Sequence, residues 1–204
     1  MSLPLALGID VRSIPAPRQY LYADPDVVSL WSHELRSNAR LRVGIAWSGN
    51  RAHPRNQTRS VELTKLLECL PGDSVCVNIQ RDMSEAERSS LETRSDVLHF
   101  PDALKDFANT AALCMNLDVL VSVDTSIAHL GGALGLPTFV LLEYSPDWRW
   151  MLGRADSPWY PSMRLFRQAQ RSDWSAPLAE LAAELRRRAA HTPASRAAGK
   201  ATVE

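Results

Sequence analysis

The sequence predicts an α/β protein: a single domain with a Rossmann-like, doubly wound parallel sheet. Three observations predict it. Short apolar runs at 41–47, 74–79, 118–123 and 137–142 are nearly continuous rather than alternating, as expected of strands covered on both faces. Helical patterns separate the runs. The loops between them are short, which favours helical crossovers between parallel strands.

Each element has a local cause. Residues 1–23 carry Pro4, Pro15 and Pro17 and no sustained period, so they read as irregular. Asp24 is a candidate N-cap, with Pro25 at the first helical position and Asp26 at the positive helix end. Val27, Val28, Leu30, Trp31 and Leu35 supply the apolar stripe of that helix. The run 41–47 is the first strand, and a polar, basic loop follows it to Ser60. A helix is expected over 61–70 and a strand over 74–79. Ser84 and Glu87 have the Ser-x-x-Glu spacing of a capping box, opening a helix to about Leu91. Residues 96–98 make a minimal strand. A helix is expected over 103–116, with Leu104, Phe107, Ala108, Ala111, Ala112 and Met115 on its buried face. Residues 118–123 are the clearest strand. A helix follows over 125–134, ended by Gly135. Strands at 137–142 and 163–166, the latter at an edge, and a helix over 178–190 complete the pattern. The expected organisation is an N-terminal linker and helix over 1–40, the Rossmann-like domain over 41–190, and a flexible tail over 191–204.

Composition narrows the function. At 204 residues the chain holds one domain's worth of sequence, and 45% hydrophobic residues suffice for a core. Lys+Arg and Asp+Glu are both 23, so the net charge is zero. Nucleic-acid binders carry a basic excess, so nucleic acid is not an expected partner. No apolar run is long enough for a membrane span. The first residues lack the basic and long apolar segments of a secretory signal. Cys69, Cys76 and Cys114 are odd in number and lack C-x-x-C spacing. Buried, reduced thiols and a cytoplasmic location are expected. His33, His53, His99 and His191 show no ligand spacing, so no metal site is expected.

In an open parallel sheet, ligands bind beyond the carboxyl ends of the strands. Ser48-Gly49-Asn50 follows the first strand, where small residues let a backbone approach an anion. Asp124-Thr125-Ser126 opens the helix after the 118–123 strand, and His129 projects near the same point. Free helix amides there suit a phosphate; plain N-capping with a packed His129 is the alternative. Arg51, Arg55 and Arg59 lie in the basic loop and offer phosphate-matching forks, unless the loop is simply solvated. Gln80 ends the second strand, placed for a ribose or base, or is a surface polar residue. Trp148, Trp150, Trp159 and Tyr160 either pack a loop over the sheet end or stack a base or sugar. Asp24-Pro25-Asp26 has a metal–nucleotide D-x-D form, but its helix-start context favours capping. Dinucleotide, P-loop and nucleophile-elbow motifs are absent, and a Ser48–His129–Asp124 triad has nothing to fix its geometry.

Residues 124–137, D-T-S-I-A-H-L-G-G-A-L-G-L-P, resemble the D-T-[SG]-x-x-H-L-x-x-A-L-G-x-P signature of heptosyltransferase-like glycosyltransferases, family 9. The segments 43–50 and 146–168 look like a bacterial subgroup in which the domain commonly follows tetratricopeptide repeats. That subgroup is distantly similar to protein O-GlcNAc transferases. The resemblance covers about residues 20–190. It implies the C-terminal, donor-binding half of a metal-independent GT-B enzyme, using a UDP-, ADP- or GDP-sugar and no cofactor. Ser48, Gly49 and Asn50 would lie near the donor phosphates and Arg59 would supply a cation. Gln80 falls where relatives face the ribose, many of them with a carboxylate. Asp124, Thr125, Ser126 and His129 match the signature directly; they would hold the pyrophosphate and stabilise the leaving diphosphate, with Asp124 and His129 as the catalytic pair. A GT-B enzyme has a second, acceptor-binding domain, for which residues 1–40 are too few. The chain is therefore expected to be a fragment or truncated product whose partners include tetratricopeptide repeats or an N-terminal GT-B domain. Alone it is expected to bind better than it catalyses, toward an acceptor that is a glycan, lipid or protein. Two other readings stand beside this one: a non-catalytic protein-interaction module derived from such a domain, and an epimerase-like enzyme acting on a nucleotide sugar.

Overall fold

The computed structural model describes residues 6–35 and 41–192. Its sheet has six strands, all parallel: β1 (Leu41–Ala46), β2 (Ser74–Asn78), β3 (Val97–Leu98), β4 (Val119–Val123), β5 (Thr138–Leu142) and β6 (Met163–Arg167), in the order β3-β2-β1-β4-β5-β6. The chain winds outward from β1 to β3, then returns to β4 on the other side of β1. This is the doubly wound order of a Rossmann-like domain, and its reversal lies between β1 and β4.

The helices are α1 (Pro25–Glu34), α2 (Asn56–Arg59), α3 (Leu63–Leu67), α4 (Glu85–Glu92), α5 (Phe107–Cys114), α6 (Ser126–Ala133) and α7 (Ser175–His191), with 3₁₀ turns at Pro101–Leu104 and Trp148–Trp150. They cover both faces of the sheet. On one face, Leu41, Val43, Ile45, Val121 and Val123 pack with Leu66 of α3 and Leu181 and Leu185 of α7. On the other, Val77 and Leu120 pack with Leu113 of α5 and with Leu130 and Leu134 at α6 and its end. Each such side chain contributes about 1.5–3 kcal/mol relative to exposure. Cys69, Cys76 and Cys114 are buried free thiols, and burial pushes Cys69 up to about 11 and Cys114 up to about 12.

Capping follows the sequence where the groups are local. Asp24 accepts from the Asp26 amide at 2.9 Å, so this D-x-D is a helix start. Ser84 and Glu87 complete a reciprocal capping box. Gly135, at φ 69°, ends α6. The expected 103–116 helix is different. A 3₁₀ turn ends at Leu104, and Asp106 caps a new helix through the Asn109 amide. The restart shifts the helical phase. Leu104, Ala111 and Ala112 are buried as expected, but Phe107, Ala108 and Met115 face outward, and Thr110, Leu113 and Cys114 are buried in their place. The expected 61–70 helix is shorter too, with its regular turns confined to α3.

The described residues before β1 are fastened to the domain. The amides of Tyr20 and Leu21 both donate to the Ala133 carbonyl, at 2.9 and 3.1 Å. Asn116 Nδ2 donates to the Val28 carbonyl at 3.0 Å, and Trp31 packs on Phe100. At the other end, residues 193–204 of the expected tail lie outside the described residues. Among the described residues, no helix is long and apolar enough to cross a membrane.

Candidate functional site

Two cavities open at the carboxyl ends of the strands, around the β1/β4 reversal. The first, about 410 Å³, is bordered by Gly49, Gln80, Lys105, Phe107 and Thr125. The second, about 840 Å³, is bordered by Pro15, Tyr20, Trp148, Trp159, Tyr160 and His129. Arg59, Thr125 and Ser126 border both.

The turn after β1 is tied down by buried amides. Gln80 Oε1 accepts from the Ser48 amide at 3.0 Å, and Asn56 Oδ1 accepts from the Gly49 amide at 2.9 Å. Those two N–H groups are therefore not open to an anion, contrary to the expectation for this turn. The Ser48 hydroxyl is taken up by Ser60 and Asn56, at 3.0 and 3.1 Å. Asn50 accepts from the Ala52 amide and stays exposed at the first cavity. Gln80 borders the first cavity and is not a surface residue. It is buried, and its Nε2 donates to the Asp82 carbonyl at 3.1 Å while its oxygen holds Ser48.

Of the three loop arginines, one turns into the cleft. Arg51 pairs with Glu87, and Arg55 pairs with Glu143 at 2.7 Å and with the Ser145 carbonyl. Arg59 crosses instead to β4, where Nη1 donates to the Asp124 carbonyl at 3.0 Å. Its guanidinium rests against Gly49, and a side chain there would overlap it. Its Nε is buried without a hydrogen-bond partner in the protein.

The turn after β4 is the open one. Thr125 is the N-cap of α6, yet no side chain caps the helix. Thr125 Oγ1 lies 3.2 Å from Ser122 Oγ instead. The first amides of α6 lack intrahelical acceptors, and the positive end of the helix faces the space that both cavities share. Plain side-chain capping by Asp124, Thr125 or Ser126 is thus not what these residues do.

His129 lies on the second-cavity side. Its Nδ1 is 3.0 Å from the Tyr160 hydroxyl, and its Nε2 is 4.0 Å from Asp124 Oδ1. Burial lowers its pKa below the usual imidazole value, partly countered by Asp124. Ser48 and His129 have separate partners, so no Ser–His–Asp relay is formed. The aromatic cluster divides its labour. Trp150 is fully buried beneath His129, whereas Trp148 is 54% exposed and meets Trp159 edge-on. Tyr20 and Phe107 are site-lining residues that sequence reasoning missed. Tyr20 lies in an aperiodic segment with no signal. Phe107 was assigned to the core, and the Asp106 cap was the available clue to its outward turn.

Arg59 and an uncapped helix end can together stabilise a polyanion spanning the two cavities. The chain is similar to Protein FlbA of Caulobacter vibrioides, with 29% identity over 182 residues, covering 86% of this chain and 30% of FlbA. It thus spans less than a third of that relative's length. No protein-family model and no solved structure matches the chain.

Proposed function

We propose that this chain is the donor-binding domain of a metal-independent glycosyltransferase. The observation that carries the reading is the meeting of the α6 N-terminus and Arg59 at the β1/β4 reversal. In this reading the donor diphosphate rests on Arg59, Thr125 and Ser126. The nucleoside occupies the first cavity beside Phe107 and Gln80, and the glycosyl group occupies the aromatic second cavity. Breaking the sugar–phosphate bond builds negative charge on the diphosphate. In this reading the helix amides and Arg59 meet that charge, with His129 at its second-cavity side, and one such donor supplies about 2.7–4 kcal/mol by analogy with oxyanion holes. The turn after β1 acts indirectly: Gln80, Asn56 and Ser60 hold it so that Gly49 backs the guanidinium. The acceptor site and the general base would belong to another domain, and the resemblance to heptosyltransferase-like enzymes supports that division.

Calorimetric titration with UDP-, ADP- and GDP-sugars tests the proposal. Binding of one of them, weakened by Arg59→Ala and by His129→Ala, is the expected result. No binding of any at millimolar concentration, with the fold intact, overturns it. A second reading, a protein-docking module, is favoured by the exposure of Trp148 and Leu152 (54% and 81%) on and beside the Trp148–Trp150 turn. It predicts that Asp124→Ala and His129→Ala leave the biological activity of the full-length protein unchanged.

A further inference from the structure

Three neighbours surround His129. Its ring lies against Trp150, with 5.3 Å between centroids and 17° between planes, and Tyr160 crosses it at 5.7 Å. Trp150 is fully buried, so the ring has a rigid floor. Tyr160 is itself stacked against Tyr20, 6.5 Å away, on the segment anchored to Ala133. The Tyr160 hydroxyl faces Nδ1 at 3.0 Å, while Nε2 on the opposite edge faces Asp124 at 4.0 Å, beside the open end of α6.

These neighbours decide which nitrogen carries the proton. A carboxylate only accepts, so the nitrogen beside Asp124 is the better N–H donor. The lone pair then falls on Nδ1, where a phenol O–H can fill it. Burial, with the Tyr20 hydroxyl acting on the Tyr160 oxygen, disfavours the phenolate, and burial disfavours the imidazolium, which keeps Tyr160 protonated and His129 neutral. Asp147 and Arg149 also act on the ring, with opposing signs.

We propose that Tyr160 is a positioning residue: its O–H donates to Nδ1 and fixes His129 as the Nε2–H tautomer, aiming one neutral donor at the diphosphate seat. The identity of the ligand rests on the donor-binding reading above, but the tautomer does not. A fixed Nε2–H needs no reorganisation as charge grows on the leaving diphosphate.

Long-range proton–nitrogen spectra of the full chain, labelled in histidine and free of ligand, read the tautomer directly, with His129→Gln to assign the signal. The expected wild-type spectrum has Nε2 protonated and Nδ1 bare. Tyr160→Phe is expected to mix the two tautomers and to raise the His129 midpoint by about half to one pH unit, because the lost bond favoured the neutral ring. Fluorotyrosine at position 160 preserves the shape and strengthens the donor, so it is expected to lower the midpoint. Tyr160→Phe is also expected to weaken nucleotide-sugar binding about three- to tenfold. An Nδ1–H tautomer in the wild type, or a spectrum that neither change moves, overturns the inference whatever the binding result. The expected tautomer in a protein that binds no nucleotide sugar upholds the positioning of His129 and overturns the donor-binding reading.

Discussion

Gly49→Ala is expected to weaken nucleotide-sugar binding about as much as removing the Arg59 side chain. Gly49 does not adopt a left-handed φ, so alanine brings no backbone strain of its own. The new methyl would instead overlap the Arg59 guanidinium, which holds the Asp124 carbonyl at 3.0 Å. The obstacle is the far end of a flexible side chain, so the guanidinium leaves its seat and the fold survives. A hydrogen bond involving a charged group is worth about 1.5–3 kcal/mol. Its loss lowers affinity about 10- to 140-fold. Calorimetry on Gly49→Ala, Arg59→Ala and the double variant forms a cycle. If Gly49 matters because it seats Arg59, the double variant is no weaker than the worse single one. Losses that add, or wild-type binding by Gly49→Ala, would refute this account.

Other expectations follow from the same contacts. Glu87→Ala orphans the indole N–H of Trp47, which is buried and donates to Glu87 at 2.7 Å, and also removes half of the Ser84 capping box. A loss of about 1–3 kcal/mol for the orphaned group is expected in urea denaturation, with partial rescue by Glu87→Gln. Gly135→Ala forces a side chain into a φ of 69° and toward the Arg18 carbonyl. It is expected to cost about 1–3 kcal/mol, also measured in urea. The pKa of His129 lies below its ordinary value of 6.5 in the folded chain. Between the two values the unfolded chain binds more protons, so the His129 contribution is lost as pH falls through that window. His129→Asn is therefore expected to flatten the acid limb of a stability-versus-pH curve just below 6.5, and an unchanged slope would count against a buried neutral imidazole.

The buried strands were legible because both of their faces are covered, so β1, β2, β4 and β5 appear as apolar runs that no surface segment imitates. The helix ends at Asp24, Ser84 and Gly135 were legible because cap and capped group are sequence neighbours. Long-range pairing was not. Arg51, Arg55 and Arg59 look alike in one loop, and only Glu87, Glu143 and the Asp124 carbonyl, brought near by the fold, distinguish them. The Ser48 and Gly49 amides read as anion donors because their buried acceptors, Gln80 and Asn56, come later in the chain. Counting helical phase through Leu104 failed because the backbone restarts at Asp106. Tyr20 was invisible for a simpler reason: two backbone bonds to Ala133, not side-chain periodicity, bring it to the site.

Because one guanidinium and two neighbouring residues are all that the linings of the two cavities have in common, a small ligand can occupy either half alone. A fragment filling only one chamber leaves the opposite wall untouched. Fragments for the two sides would exclude each other solely along that narrow strip, and tethering them would gain affinity from proximity rather than from new contacts.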